Sequence, residues 1–259
     1  MRRDGASIPT ARPLGFRSGS PASSGVARGA FANGCRQCGQ RNDCLPANLS
    51  EEGMERLEQV LACGRMLANG DVLFRQHQAL GSVYAVRSGC FKSTRRFPDG
   101  HEQVCAFHMP GELVGLDALY AGHYQCDVVA LDTATVCAFI PADLADLSRD
   151  APTLHFQLLR MASRELTLFL ERDTERPAEN RMAGFLLQLG ERMREQGWSS
   201  KRFRLAMSRR DIANYLGLAP ETVSRTLRRM ESRELIRVDR REVELLQPRS
   251  LRDLADGQH

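Results

Sequence analysis

Apolar and polar positions change their rhythm several times along the 259-residue chain. Leu49 to Val60 reads as a short helix, with Ser50 as its N-cap and Glu51 and Glu52 in the first turn, where negative charge suits the helix dipole. From Asp71 to Ile140 the pattern shortens to alternating runs: Val72-Leu73-Phe74, Val83-Tyr84-Ala85-Val86, Phe91-Lys92-Ser93-Thr94 and Val104-Cys105-Ala106-Phe107. Ser88-Gly89, Pro98-Asp99-Gly100 and Pro110-Gly111 punctuate them, which predicts an antiparallel β-roll or barrel. Pro152 then opens a helix whose Leu158, Ala162, Leu166 and Phe169 recur at spacings of three and four. Such a stripe packs on a neighbouring domain or pairs with a second copy, and its place between two domains speaks at least as strongly for a dimer seam. Pro177 reads as the first residue of the next helix, which makes Thr174–Arg176 a hinge.

The C-terminal third carries a helix-turn-helix pattern. Ser208 can cap a helix running to Leu216 with Ile212, Ala213 and Leu216 inward, and Gly217 supplies the positive φ that ends it. Pro220 opens a second helix with Val223 and Leu227 inward, leaving Glu221, Ser224 and Arg225 together on the outer face. Arg225 can pair with guanine O6 and N7, Glu221 can accept from the cytosine amino group, and Ser224 is a less selective contact. Ser208, Arg209 and Thr222 flank them as further DNA contacts. Leu235 to Val238, a turn at Asp239 to Arg241, and Val243 to Leu245 read as the wing of a winged helix.

Charge supports that reading. Against a formal charge of only +4, the stretch Lys201 to Arg229 holds eight basic residues and two acids, a phosphate footprint as much as a solvated face. No run of about 18 apolar residues exists to span a membrane, and the first thirty residues lack the apolar core of a secretory signal. A cytoplasmic protein with reduced cysteines is expected. Residues 1–34, rich in Gly, Ser, Ala and Arg, read as a disordered basic tail.

Reduced thiols are available for metal. Cys35, Cys38 and Cys44 lie on one ten-residue loop, and a tetrahedral sulfur site needs a fourth ligand from Cys63, Cys90, Cys105, Cys126 or Cys137. Cys63, Cys90 and Cys105 sit in apolar patterns and read as buried thiols, leaving Cys126 and Cys137. The spacing alone serves structural zinc or an iron–sulfur cluster equally.

In this order the segments resemble the CRP/FNR superfamily, and within it the FNR branch of oxygen-responsive anaerobic regulators. The carriers are Cys-x2-Cys-x5-Cys, Val83-Tyr84-Ala85-Val86-Arg87-Ser88-Gly89, Gly111-Glu112-Leu113-Val114-Gly115, Ala130-Leu131-Asp132-Thr133 leading into Val136-Cys137, Asn214-Tyr215-Leu216-Gly217-Leu218, and Glu221-Thr222-Val223-Ser224-Arg225. The resemblance implies an α+β chain: a cyclic-nucleotide-binding-like jelly roll, a long dimerisation helix and a winged helix-turn-helix. It selects Cys137 as the fourth ligand and a [4Fe–4S] cluster as the group bound. It further implies a homodimer on palindromic, TTGAT-like double-stranded DNA, with Glu221, Ser224 and Arg225 as base readers and RNA polymerase met through loops such as Pro98 to His101. Cyclic AMP regulators carry an Arg-Ser or Arg-Thr pair where this chain reads Gly122-His123-Tyr124-Gln125-Cys126-Asp127, so no cyclic nucleotide is expected.

Three departures stand out. Gly39 and Asp43 replace a serine and a leucine beside the ligands, Phe169 stands where an acid weakens pairing, and Ala219 replaces a polar N-cap at a cost of about 1 kcal/mol. The expected organisation is a tail over 1–34, a cluster loop over 35–48, a roll over 49–151, a dimerisation helix and hinge over 152–176, a DNA-binding domain over 177–250 and a tail over 251–259. Within regulation the alternative is a zinc site or thiol switch, and outside it an electron-transfer iron–sulfur protein. The chain lacks a nucleophile–base constellation and a phosphate loop, so no enzymatic activity is expected.

Overall fold

The computed structural model describes residues 34–170 and 175–257. The expected basic tail, Gly34 excepted, and Thr174 of the expected hinge lie outside the described residues. A single 3-10 turn, Cys35–Gln37, leads into α1 (Glu51–Val60), where the Ser50 hydroxyl accepts from the Gly53 N–H at 3.2 Å. The strands β1 (Leu61–Leu67), β2 (Val72–Phe74), β3 (Val83–Ser88), β4 (Phe91–Arg96), β5 (Glu102–His108) and β6 (Leu113–Val114) follow, then the short α2 (Ala118–Ala121), β7 (Asp127–Ala130) and β8 (Ala134–Phe139). They form two antiparallel sheets, ordered β1-β8-β3-β6 and β2-β7-β4-β5. Phe91, Tyr124 and Val136 are among the side chains buried in one core of this roll. The turn before β4 requires glycine, because Gly89 has φ +77° and a Cβ there would stand 2.6 Å from the Ala134 Cα.

Beyond the roll, α3 (Pro141–Asp150) is a helix that the apolar rhythm did not signal; it buries Leu144 and Leu147. The long α4 (Pro152–Leu170) starts at Pro152 as expected. Next comes α5 (Ala178–Glu195), for which Pro177 is the N-cap rather than the first helical residue. The DNA-binding domain continues with β9 (Arg202–Arg204), α6 (Arg209–Leu216), α7 (Pro220–Ser232), β10 (Ile236–Asp239) and β11 (Glu242–Leu245). The wing is a three-stranded sheet in the order β10-β11-β9, since Val243 pairs with Phe203 as well as with Val238.

One boundary needs correcting. Most of the stretch 251–259, expected as a tail, belongs to α8 (Pro248–Asp256), which packs against α5 and ends on Gly257 at φ +75°. Leu251 and Leu254 are fully buried there, each contributing roughly 2 kcal/mol of apolar burial, which outweighs the polar composition that suggested a tail.

Candidate metal centre and nucleic-acid interface

The cysteine loop folds back on the roll so that Cys35, Cys38, Cys44 and Cys137 line one narrow cavity of about 20 Å³, walled by Leu61, Ala85 and Phe139. Cys137 reaches it from β8, next to Ala85 of β3. The Arg36 N–H donates to Glu58 of α1 at 3.0 Å, and the Arg36 guanidinium lies 3.3 Å from Glu51, so α1 anchors the loop. Burial, then the neighbouring Cys137 and Cys38, push the Cys35 thiol up to about 12. Burial likewise raises Cys137 to about 11, against the hydrogen-bonded Arg87, and raises Cys44. Four thiols gathered at one narrow cavity, with the Arg41 and Arg87 side chains on its wall, form a donor set suited to a cationic centre. Among the described residues, no group of three or more His, Cys, Asp or Glu is spaced to hold a metal ion, this loop included. Of the other candidates, Cys90 is buried and raised to about 12 by burial, and Cys105 and Cys126 lie on the opposite sheet's side of the roll. The Cys63 side chain lies outside what is described.

Gln157 of α4, missed by the sequence reading, joins this loop to the long helix. Its amide donates to the Cys44 carbonyl at 3.0 Å, and it is only 4% exposed. Leu154 and Met161, one turn either side, share a hydrophobic core with Cys35, Cys137 and Leu45. Of the expected seam residues, Leu158 packs against that core, whereas Ala162, Leu166 and Phe169 face outward. Leu159 and Phe156 extend the exposed stripe; Leu166 is 58% and Phe169 66% exposed. The stripe turns away from the roll because Leu154, Gln157 and Met161 occupy the inner face of the helix.

In the DNA-binding domain, α6 opens with a reciprocal cap: Ser208 Oγ accepts from the Asp211 N–H and Asp211 Oδ2 accepts from the Ser208 N–H, both at 3.1 Å. Gly217, at φ +63°, ends the helix, and Arg181 of α5 donates to the freed Leu216 carbonyl at 2.6 Å. Ala219 caps α7 without a side-chain hydrogen bond, as expected. Glu221 and Arg225 are exposed and Ser224 and Thr222 partly so. The Ser224 hydroxyl donates to the Pro220 carbonyl at 3.1 Å, and the Arg225 guanidinium approaches the Thr222 hydroxyl at 3.5 Å. Arg209, expected as a DNA contact, is partly buried, and its Nη2 donates to the Arg240 carbonyl of the wing at 3.4 Å.

Polar contacts fasten this domain to the roll. The Arg192 guanidinium of α5 donates to both carboxylate oxygens of Glu112, at 2.9 and 2.6 Å, and to the Phe107 carbonyl at 2.6 Å. Arg164 of α4 reaches the same carboxylate at 2.9 Å. Burial alone would raise the Glu112 carboxyl, but Arg192 and Arg164 outweigh it and hold it below the usual carboxylate range. Asn214 of α6 accepts from the Val104 N–H at 2.6 Å and donates to the Glu102 carbonyl at 2.7 Å, so one amide covers the free edge of β5. Lys92 meets Asp211 at 2.5 Å.

Residues 65–150 match the cyclic nucleotide-binding domain family, and residues 180–254 match the Crp-like helix-turn-helix domain family. Over 230 residues the chain is 42% identical to the transcriptional activator protein Anr of Pseudomonas aeruginosa, covering 86% of this chain and 93% of that one. It is 36% identical over 244 residues to the fumarate and nitrate reduction regulatory protein of Vibrio cholerae, covering 92% and 96%. Among solved structures, FixK2 from Bradyrhizobium japonicum superposes with a TM-score of 0.66 at 26% identity, covering 74% of this chain and 96% of that one. Among the described residues, no helix is long and apolar enough to cross a membrane.

Proposed function

The chain belongs to the FNR branch of the CRP/FNR family of transcription regulators, and from that premise we propose that it is an oxygen-responsive member. In this reading Cys35, Cys38, Cys44 and Cys137 hold a [4Fe–4S] cluster that gates homodimerisation and binding to palindromic, TTGAT-like DNA in the cytoplasm. The observation that carries it is the meeting of all four thiols at one cavity, with Cys44 tied through Gln157 to α4. Thiols raised by burial are poor nucleophiles, which speaks against a simple thiol switch.

A cluster of this kind supplies oxygen lability, and the protein's own residues convert its presence into geometry. Arg87 compensates the thiolate charge from beside Cys137. With the loop drawn against β8, the Cys44 carbonyl holds Gln157 and thereby the register of α4, whose outer stripe of Leu159, Ala162, Leu166 and Phe169 pairs with a second copy. Pairing sets two α7 helices about 34 Å apart, one turn of DNA, where Arg225 reads guanine and Glu221 cytosine. Linkage makes the two bindings reciprocal: whatever favours the paired form favours DNA equally. The exposed turn closed by the Phe97 N–H and the His101 carbonyl, at 2.9 Å, is the surface offered to RNA polymerase.

Anaerobic purification with iron and sulfide analysis, followed by DNA shift before and after air, tests this reading. A brown protein that binds the palindrome tightly and loses affinity in air is expected, and Cys137→Ser should abolish both the colour and the air response. Equal binding by air-treated and anaerobic protein overturns it.

A further inference from the structure

A serine, a histidine and a glutamate that belong to neither site described above meet at one cavity. In the register of β4 and β5, Ser93 stands opposite Ala106, and His108 lies two residues further along β5 on the same face. Side chains in that diagonal relation reach one another when one of them is long or aromatic, and Ser93 Oγ lies 2.6 Å from His108 Nε2. Both residues are buried. On its other side the ring turns Nδ1 toward Glu165 of α4, whose Oε1 is 3.9 Å away. All three side chains line a cavity of about 410 Å³ between the roll, α4 and α5.

The order of the three groups decides what they can do. A proton on Nδ1, facing the Glu165 carboxyl, leaves the Nε2 lone pair to accept from the Ser93 hydroxyl. Burial brings the His108 ring down to about 4, so at neutral pH it holds the uncharged form that a general base needs. Hydroxyl, imidazole and carboxyl in series are the parts of an activated nucleophile, and the link between base and acid is often loose before a substrate binds. Arg164, held by Glu112 at 2.9 Å and by Glu195 at 2.6 Å, brings positive charge to the same cavity, which favours an oxyanion there. Phe107, Leu113, Met161, Leu168 and Phe169 give the cavity an apolar wall, suited to a short apolar acyl chain.

We propose that this cavity hydrolyses esters of small apolar acids, with Ser93 as the nucleophile, His108 as the general base and Glu165 as the residue that positions His108. Ser93 Oγ adds to the ester carbonyl while its proton passes to His108 Nε2; the bond to the alcohol then breaks, and the alcohol leaves with that proton. Water adds to the acyl-serine and gives its proton to His108, and Ser93 leaves with it, so one ester and one water become one acid and one alcohol. The three residues belong neither to the cysteine loop nor to α7, so the activity stands or falls apart from the oxygen-responsive reading.

The test uses the full chain and two probes. A fluorophosphonate, which loses fluoride as its phosphorus bonds to an activated serine oxygen, should label Ser93 of the wild type, as read by peptide mass mapping. The wild type should also release nitrophenol from p-nitrophenyl butyrate above the buffer rate, and Ser93→Ala or His108→Gln should lose about a hundred-fold of that rate or more. Circular dichroism checks that each variant is folded, and where one is not, the label on the wild type decides. Glu165 is raised to about 8 by burial and by the Glu112 and Asp117 carboxylates, against Arg192 and Arg164. Its ionisation stabilises the imidazolium formed as Ser93 loses its proton, so buffer-corrected turnover should rise as pH passes about 8, and Glu165→Gln should be slower and lose that rise. An unlabelled Ser93, no turnover by the wild type, or turnover that survives Ser93→Ala overturns the site. A wild-type rise in Glu165→Gln overturns the role given to that residue.

Discussion

Replacing Arg192 with methionine removes a buried cation that joins the DNA-binding domain to the roll. Three hydrogen bonds disappear, two to Glu112 and one to the Phe107 carbonyl, and methionine keeps most of the stem's volume. Breaking a buried ion pair from one side costs about 3–5 kcal/mol, because the surviving charge is left uncompensated. Here Arg164 still bonds Glu112 at 2.9 Å, so the low end, about 3 kcal/mol, is expected. Adding Glu112→Gln removes the stranded charge, and the double variant should lose at least about 1.5 kcal/mol less than the sum of the single losses.

Urea unfolding can read this from two sides of the interface. The single tryptophan, Trp198, follows α5 and is half exposed, with its backbone N–H donating to the Met193 carbonyl at 2.9 Å, so its fluorescence reports the DNA-binding domain. Far-ultraviolet circular dichroism reports both domains. Wild type should show coincident transitions, and Arg192→Met a lower, separated transition for tryptophan. The sign with pH follows from Glu112: its folded carboxyl is held below the unfolded value, so the pair's contribution is present above the ordinary glutamate range and is lost as pH falls through the lowered one. A variant that loses under about 1 kcal/mol at pH 7, with transitions still coincident, would refute the reasoning.

Three further outcomes are expected. Gln157→Leu should leave cluster content intact but shrink the anaerobic-to-air ratio of DNA affinity about five-fold, the worth of roughly 1 kcal/mol of hydrogen bonding; an unchanged ratio in a shift assay removes Gln157 from the coupling. Arg225→Ala should cost about 1–3 kcal/mol on the palindrome, and substituting the guanine it reads should then matter little, whereas a variant that keeps full base selectivity contradicts its role. Glu165 is raised to about 8 by burial and then by the Glu112 and Asp117 charges. Its folded state holds the proton more tightly than the unfolded chain, so stability should decline as pH rises from the ordinary glutamate range through 8. Glu165→Gln should flatten that decline in urea midpoints taken from pH 5 to 9, and a slope as steep as the wild type's would rule the residue out as its source.

What could be read along the chain was whatever local chemistry decides. Ser50 and Ser208 cap helices because their hydroxyls reach N–H groups three residues on, and Gly217 ends α6 because only its own φ matters. Four of the roll's strands, β2 to β5, were visible by alternation, and the four cysteines that line one cavity were singled out by the spacing of three and by the resemblance for the fourth. α3 and α8 were not visible, since their apolar faces become meaningful only when α1, α4 and α5 stand opposite them.

Only the tertiary structure decided how the parts meet. Gln157 finds Cys44 across 113 residues, Arg192 finds Glu112 across 80, and Asn214 finds Val104 across 110. A polar side chain has no periodicity that foretells a distant partner, and its worth comes from burial, which depends on every element packed around it. The same rule turned Arg209 toward the wing and Leu158 toward the core.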